Sequence, residues 1–265
     1  MSAHKSREWD SAAYDRISGP QFSWGKKVLA RVCLRGDEHV LDAGCGTGKL
    51  SAELLETLPE GRVMGLDVSR NMLRRAHENL QPRFADRVTF VAADLQHLPF
   101  DQAFDGVFST AAFHWVPDHG LLFRNLFRAL RPGGWLIAQC GGSGNLHRFL
   151  ARVAESSKRL PYLAHVGKYQ PSWTFADPPT TATRLEAAGF IEIDTGLEPA
   201  PTRFANEARF SEFASKVILH RFLEHLPDEA SRRQFMHDLS KAAAHDDPPF
   251  ELDYWRLNLA ARKPD

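Results

Sequence analysis

The stretch VLDAGCGTGKL, residues 40–50, constrains the fold more than any other part of the chain. An apolar β-type run, HVLDA, passes into Gly44-x-Gly46-x-Gly48 and then into a helical pattern. Without β-carbons the backbone can turn sharply there and lie directly against a ligand. Strand, glycine turn and helix in that order open a unit with parallel strands.

The text downstream repeats the alternation. Strands are predicted at 39–43, 61–67, 87–94, 104–110 and 134–142, with helices near 49–58, 69–80 and 119–130. Parallel strands covered on both faces read as continuous apolar runs, and right-handed crossovers bring their carboxyl ends to one sheet edge, where ligands bind. Ser69 is the expected N-cap of the second helix, and Arg131-Pro132-Gly133-Gly134 the expected end of the third. Beyond residue 143 the pattern is mostly helical, except that IEIDTGLEP (191–199) and ELDYWRLNLAARK (251–263) alternate as strands do. Between those two strands, residues about 200–249 hold two amphipathic patterns, which predicts a helical cap inserted over the site. With no repeat or low-complexity tract, residues 1–265 read as one domain, opened by helices over about 1–35.

The spacing of the acids narrows the ligand. A dinucleotide loop places a third glycine where this chain has Lys49, which weakens a pyrophosphate-binding reading. Asp67 ends the second predicted strand, beside the glycine loop, so its carboxylate can accept from both hydroxyls of a ribose. Asp94 ends the third, where it can accept from an adenine amino group while Leu95 packs against the ring. Three successive strand ends then address one nucleoside. Cys45, inside the loop with no base indicated nearby, reads as a small spacer rather than a nucleophile.

Taken together, DAGCGTG, LDVSRNML, AADLQHLPF and ALRPGGWL make residues 38–140 resemble the class I S-adenosylmethionine-dependent methyltransferases. The resemblance implies a Rossmann-like α/β fold, doubly wound, with a seven-stranded, mostly parallel sheet whose last strand, at 251–263, is antiparallel. It implies S-adenosyl-L-methionine as cofactor and S-adenosyl-L-homocysteine as product. By position it assigns Asp42, Gly44, Gly46, Asp67, Val68, Met72, Ala93, Asp94, Leu95 and Thr110 to the cofactor. An N-terminal aromatic often closes over the cofactor in that family, which points to Trp9 or Tyr14, with Tyr14 favoured.

His114-Trp115-Val116-Pro117-Asp118 is similar to the segment after the fourth strand in the carboxyl methyltransferases of the trans-aconitate and juvenile-hormone-acid types. There the resemblance implies that Gln21, seven residues after Tyr14, and Trp115 donate N–H bonds to a substrate carboxylate. The chain departs from that type at Phe22-Ser23-Trp24-Gly25, and Trp24 is read with the aromatics near the mouth, as part of an apolar substrate cavity or as core. The sulfonium methyl is already activated, so an ionised carboxylate acceptor needs no general base. A hydroxyl or amine would need one, and His114 is then the catalytic candidate. Methylation at carbon, nitrogen or hydroxyl oxygen, and a cofactor-binding module without catalysis, stand as alternatives.

Charge and cysteines bound the partners. Lys plus Arg equals Asp plus Glu at 33 each, so no bulk field favours nucleic acid, and a small-molecule acceptor is expected. Three cysteines without a C-x-x-C pair suggest neither a disulfide framework nor a zinc site. The N-terminus has no apolar signal core and no run approaches a membrane span, so a cytoplasmic protein is expected. The oligomeric state is left open.

Overall fold

Five apolar runs form strands that lie side by side because each has a buried face to cover: β1 His39–Ala43, β2 Arg62–Asp67, β3 Val88–Ala92, β4 Phe104–Thr110 and β5 Leu130–Gly141. The structure is a computed structural model, and it describes residues 8–169 and 171–265. With β6 Ile191–Pro199 and β7 Trp255–Arg262, these strands make a seven-stranded sheet of order β3-β2-β1-β4-β5-β7-β6. Strands β1 to β5 pair in parallel. β7 enters between β5 and β6 and runs antiparallel to β5, with Gly141 opposite Arg256 and Trp135 opposite Arg262. The expected Rossmann-like sheet with an antiparallel last strand is therefore present.

The sheet belongs to a compact unit made of residues up to 143, 173–198 and 256–265. Its helices include α1 Ser11–Ile17, α2 Gly19–Leu29, α3 Lys49–Thr57, α4 Arg70–Phe84 and α5 His119–Ala129. Side-chain oxygens cap three of them: Asp10 accepts from Ala13 N–H, Ser69 from Met72 N–H and Asp118 from Leu121 N–H. Val40, Leu41, Phe104, Val107, Phe108 and Leu136 are fully enclosed between the sheet and its helices. Truncating either phenylalanine to alanine would cost about 3–5 kcal/mol, so the sheet edge that carries the site stands on a rigid core.

Residues 144–172 and 199–255 form a second compact unit, which contains the predicted insertion at 200–249 together with residues 144–172. It is mostly helical, with a short strand pair of Thr202–Arg203 and Glu251–Leu252, and it buries Phe149, Phe210, Phe213 and Phe235. Arg152 grips Asp246 through two hydrogen bonds of 2.6 and 3.1 Å.

Three details differ from the sequence pattern. The helix expected to end at Arg131 stops at Ala129, because Leu130 already pairs with Phe104. The strand expected over 251–263 breaks at Asp253, whose carboxylate accepts from the N–H groups of Arg148 (2.7 Å) and Phe149 (3.4 Å) at the start of the helix His147–Ser157. The long pattern from 207 divides at a π turn, Ala214–Ile218. Among the described residues no helix is long and apolar enough to cross a membrane.

Candidate functional site

At the carboxyl end of β1 the chain turns through Gly44, Gly46 and Gly48, all with positive φ, at 88°, 55° and 81°. A β-carbon on Gly44 would come within 2.3 Å of Ala112 Cβ, and one on Gly48 within 2.6 Å of Leu80 Cδ1. At Gly46 it would meet nothing within 4 Å. The outer two glycines thus let the loop nest against its neighbours, and the middle one leaves its outward side open. The loop is tied down by Gly44 N–H and Cys45 N–H, which donate to Leu66 O at 2.7 and 2.9 Å, so the ends of β1 and β2 move as one. Burial, with the charges of Asp42 and Asp67 beside it, pushes the Cys45 thiol well up, so Cys45 packs as a protonated thiol.

Two carboxylates flank this loop. Asp67 accepts from Gly46 N–H at 3.0 Å and Ser69 N–H at 2.8 Å, so each oxygen is oriented by one backbone donor and keeps acceptor capacity. Burial raises its pKa, against the backbone hydrogen bonds that lower it. Asp42, buried at the end of β1, accepts from Ser51 Oγ at 2.6 Å. Burial drives its pKa up to about 7, the Ser51 bond opposes this, and the charge of Asp67 adds to it. Carboxylates held this far from water are poised for a ligand that brings cationic or hydroxyl donors.

The N-terminal helix closes one side. Asp15 accepts from Thr47 Oγ1 at 2.9 Å and pairs with Lys49 Nζ at 3.1 Å, and Lys49 also donates to the Asp15 carbonyl. Glu8 reaches the start of α4, accepting from Ser69 Oγ at 3.0 Å and Asn71 N–H at 3.1 Å. These bonds set Tyr14 on the wall of a cavity that Gln21, Asp42, Gly44, Gly46 and Thr110 also line. Burial, with the charge of Asp67, pushes the Tyr14 phenol up to about 12, so it remains a donor. Gln21 Oε1 is buried there without a hydrogen-bond partner among the described residues, an acceptor left for a donor group of a bound molecule.

The other predicted cofactor residues follow along the same edge. Ala93 N–H donates to Asp67 O at 3.2 Å, which joins the end of β3 to β2. Asp94 Oδ1 accepts from Gln96 N–H at 2.9 Å, which shapes the turn in which Leu95 is buried. Val68 is exposed, whereas Met72 is buried on α4.

After β4 the surroundings change from acids to rings. Trp115 meets Trp9 edge-on at 5.5 Å and Trp173 at 5.7 Å, and Trp9 continues to Tyr14 at 5.7 Å. His114 lies 5.4 Å from Trp115 and 6.0 Å from Phe175. Gly141 N–H donates to His114 Nδ1 at 3.3 Å, so the neutral ring carries its proton on Nε2. Burial, then the positive charge of Arg256, holds the imidazole well below its ordinary pKa. His114 is thereby a neutral donor whose other nitrogen is already engaged. Trp24 lies under the Arg256 guanidinium, with Cζ 4.7 Å from the ring centre.

Sequence reasoning missed Arg256, Ser51 and Asp15. Ser51 lies nine residues after Asp42, on the first turn of α3, a spacing that could have suggested the contact. Arg256 carried no local signal.

Comparison with known proteins agrees with this geometry. The family described as a methyltransferase domain matches residues 40–134. The chain is 30% identical over 267 residues to a trans-aconitate 2-methyltransferase of Methylobacterium radiotolerans, which covers 97% of this chain and 98% of the relative. It is 34% identical over 160 residues to a trans-aconitate 2-methyltransferase of Acidovorax ebreus, covering 60% of each. In fold it is similar to the Haemonchus contortus phosphoethanolamine N-methyltransferase 2 solved in complex with S-adenosyl-L-methionine, with a TM-score of 0.63 and 22% identity over 96% of this chain and 57% of the other.

Proposed function

The chain belongs to the class I S-adenosylmethionine-dependent methyltransferases, and on that premise we propose that it methylates a carboxylate oxygen of a small organic acid. S-adenosylmethionine is its cofactor. The residues fit that molecule: the side of the loop open at Gly46 leaves room for it, and two carboxylates destabilised by burial suit its ammonium and ribose hydroxyls. Asp42 and the glycine loop would hold the methionine part, Asp67 the ribose, and Asp94 with Leu95 the adenine, while Val68, Met72, Ala93 and Thr110 would line the cofactor and Tyr14 would cover it.

When bound, the cofactor supplies a methyl activated on sulfur: the acceptor oxygen provides the pair for the new O–CH3 bond, and the S–CH3 pair returns to sulfur. No proton is moved, so the protein's work is alignment and exclusion of water. Gln21 and Trp115 would hold the acceptor carboxylate, with His114 Nε2–H as a third donor.

The single observation that carries this reading is the state of His114. Its Nδ1 lone pair is occupied by Gly141 N–H and burial lowers its basicity, which disfavours it as the base that a hydroxyl or amine acceptor would need. The trans-aconitate relatives support the same acceptor class. The cysteines, Cys33, Cys45 and Cys140, are all free, which supports a reducing, cytoplasmic setting.

The test is transfer from methyl-labelled S-adenosylmethionine to a panel of di- and tricarboxylic acids. Label that mild alkali releases as methanol is the expected product, because it is an ester. A product that keeps its label in alkali would point to carbon, nitrogen or ether oxygen instead.

A further inference from the structure

We propose that Gln21 bridges the two ligands: its side-chain carbonyl accepts from the ammonium of the cofactor's methionine part, and this turns its amide N–H groups toward the acceptor. The first contact needs only the cofactor, and the second rests on the carboxylate reading above.

An ammonium brings three N–H donors and no acceptor, so its site must supply oxygens. Asp42 is the carboxylate on the wall of the cavity at the glycine loop, and one of its oxygens already accepts from Ser51 Oγ at 2.6 Å. A further carboxylate on that wall would be costly, because burial and the charge of Asp67 already push the Asp42 carboxyl up. A neutral carbonyl supplies the missing acceptor without adding a negative charge. Gln21 Oε1 is such a carbonyl. It is buried and has no hydrogen-bond partner among the described residues, and Gln21 lines the same cavity as Asp42, Gly44 and Gly46. An oxygen buried in this way is destabilising until a donor arrives. Lys49, a cation on that wall, does not meet the need, since its amine is engaged by the Asp15 carboxylate at 3.1 Å and by the Asp15 carbonyl.

The helix that carries Gln21 is fixed against the loop. Gln21 lies in the first turn of α2, and Gly25, one turn later on the same face, is buried against α3, where a β-carbon would run into Leu50 Cδ1. Lys26 Nζ pairs with Glu53 of α3 at 3.3 Å. α2 thus lies directly on α3, the helix into which the glycine loop runs, and this sets Gln21 at the wall of the loop. A side-chain amide is planar, with its oxygen and nitrogen on opposite sides of one carbon, so fixing the oxygen aims the nitrogen away from it. Thr110 and Ala111 also line the cavity, and they lead into the turn Phe113–Trp115 that carries the proposed acceptor contacts. One amide would then serve a cation on the β1 side and an anion on the β4 side.

The experiment is calorimetry at pH 8 with S-adenosylhomocysteine and with its analogue that lacks the α-amino group. Wild-type protein should bind the amine about 100-fold more tightly than the analogue. Gln21→Met, close in size and without an amide, should cut that preference to about tenfold, the part left to Asp42. Gln21→Glu, which keeps an acceptor and loses the donor, should hold the preference at about 100-fold or above while weakening trans-aconitate at least about 30-fold. In wild-type protein trans-aconitate should bind about fivefold more tightly beside S-adenosylhomocysteine than beside the deaminated analogue, and Gln21→Met should bring that factor below about two. If Gln21→Met shows no thermal unfolding transition, the wild-type and Gln21→Glu measurements decide on their own.

An amine preference unchanged in Gln21→Met, or lost in Gln21→Glu, overturns the ammonium contact. Trans-aconitate that binds Gln21→Glu as well as wild type, or binds wild type equally beside the two cofactor analogues, overturns the bridge. Either result leaves an alkali-labile product from wild-type protein, and with it the carboxylate reading, intact. An alkali-stable product, with the amine preference still dependent on Gln21, defeats the carboxylate reading and leaves the ammonium contact standing.

Discussion

The two halves of the sheet edge use opposite chemistry. From β1 to β3 the edge presents backbone turned by glycine and two buried acids, Asp42 and Asp67, both displaced by burial toward their neutral forms. From β4 to β7 it presents aromatic rings, a neutral His114 with its proton on Nε2, and the buried guanidinium of Arg256. Buried charge is costly until an opposite charge or hydrogen bonds arrive. The difference teaches how the proposed division of labour would work: the first half would receive the cofactor's ammonium and hydroxyls, and the second the acceptor's carboxylate.

The comparison breaks most readily at Asp67. Asp67→Ala removes both the proposed ribose acceptor and the carboxylate that orients Gly46 and Ser69, and should weaken cofactor binding about 100-fold by calorimetry. Retention of affinity within about threefold would mean that the glycine loop binds without it.

Asp42 should show the next effect, with a pH signature. The unfolded chain releases this proton near the ordinary aspartate value, whereas the folded protein keeps it up to about 7. Between those values the native state binds more protons than the unfolded one, so the stability of the cofactor-free protein falls as pH rises through that window. Asp42→Asn should flatten that fall in the thermal midpoint and weaken cofactor binding about tenfold at pH 8. In wild-type protein, cofactor affinity should rise as pH passes about 7, where Asp42 ionises. A pH-independent affinity would remove Asp42 from the ligand contacts.

His114→Ala is the mildest change. With its Nδ1 engaged by Gly141 and its ring neutral, His114 is expected to contribute a hydrogen bond. The variant should raise the acceptor KM about fivefold and leave the acidic limb of the pH–rate profile, where a general base would be protonated, unchanged. Loss of several orders of magnitude, restored by added imidazole, would make it a base.

The same division separates what was legible in the sequence from what was not. The first half is written locally: glycines that must take positive φ, Asp42 inside a run that matches β1 residue for residue, and Asp67 at the last position of β2, whereas Asp94, expected to end the third strand, lies two residues beyond the end of β3. Ser69 as a cap was legible for the same reason, since its partner Met72 is three residues away. The second half depends on distant pairings. The tautomer of His114 is set by Gly141, and the place of Arg256 by an antiparallel register with β5. Alternation in ELDYWRLNLAARK indicates a strand but not which end of it meets the ligand edge, nor that Asp253 leaves it to serve the N-terminus of another helix.

The most direct measurement is a calorimetric titration of the S-adenosylhomocysteine-saturated protein with trans-aconitate and, separately, with its neutral trimethyl ester. Binding of the acid with no detectable binding of the ester is the result expected of an edge built to receive an anion. Equal binding of the two, or preference for the ester, would contradict it.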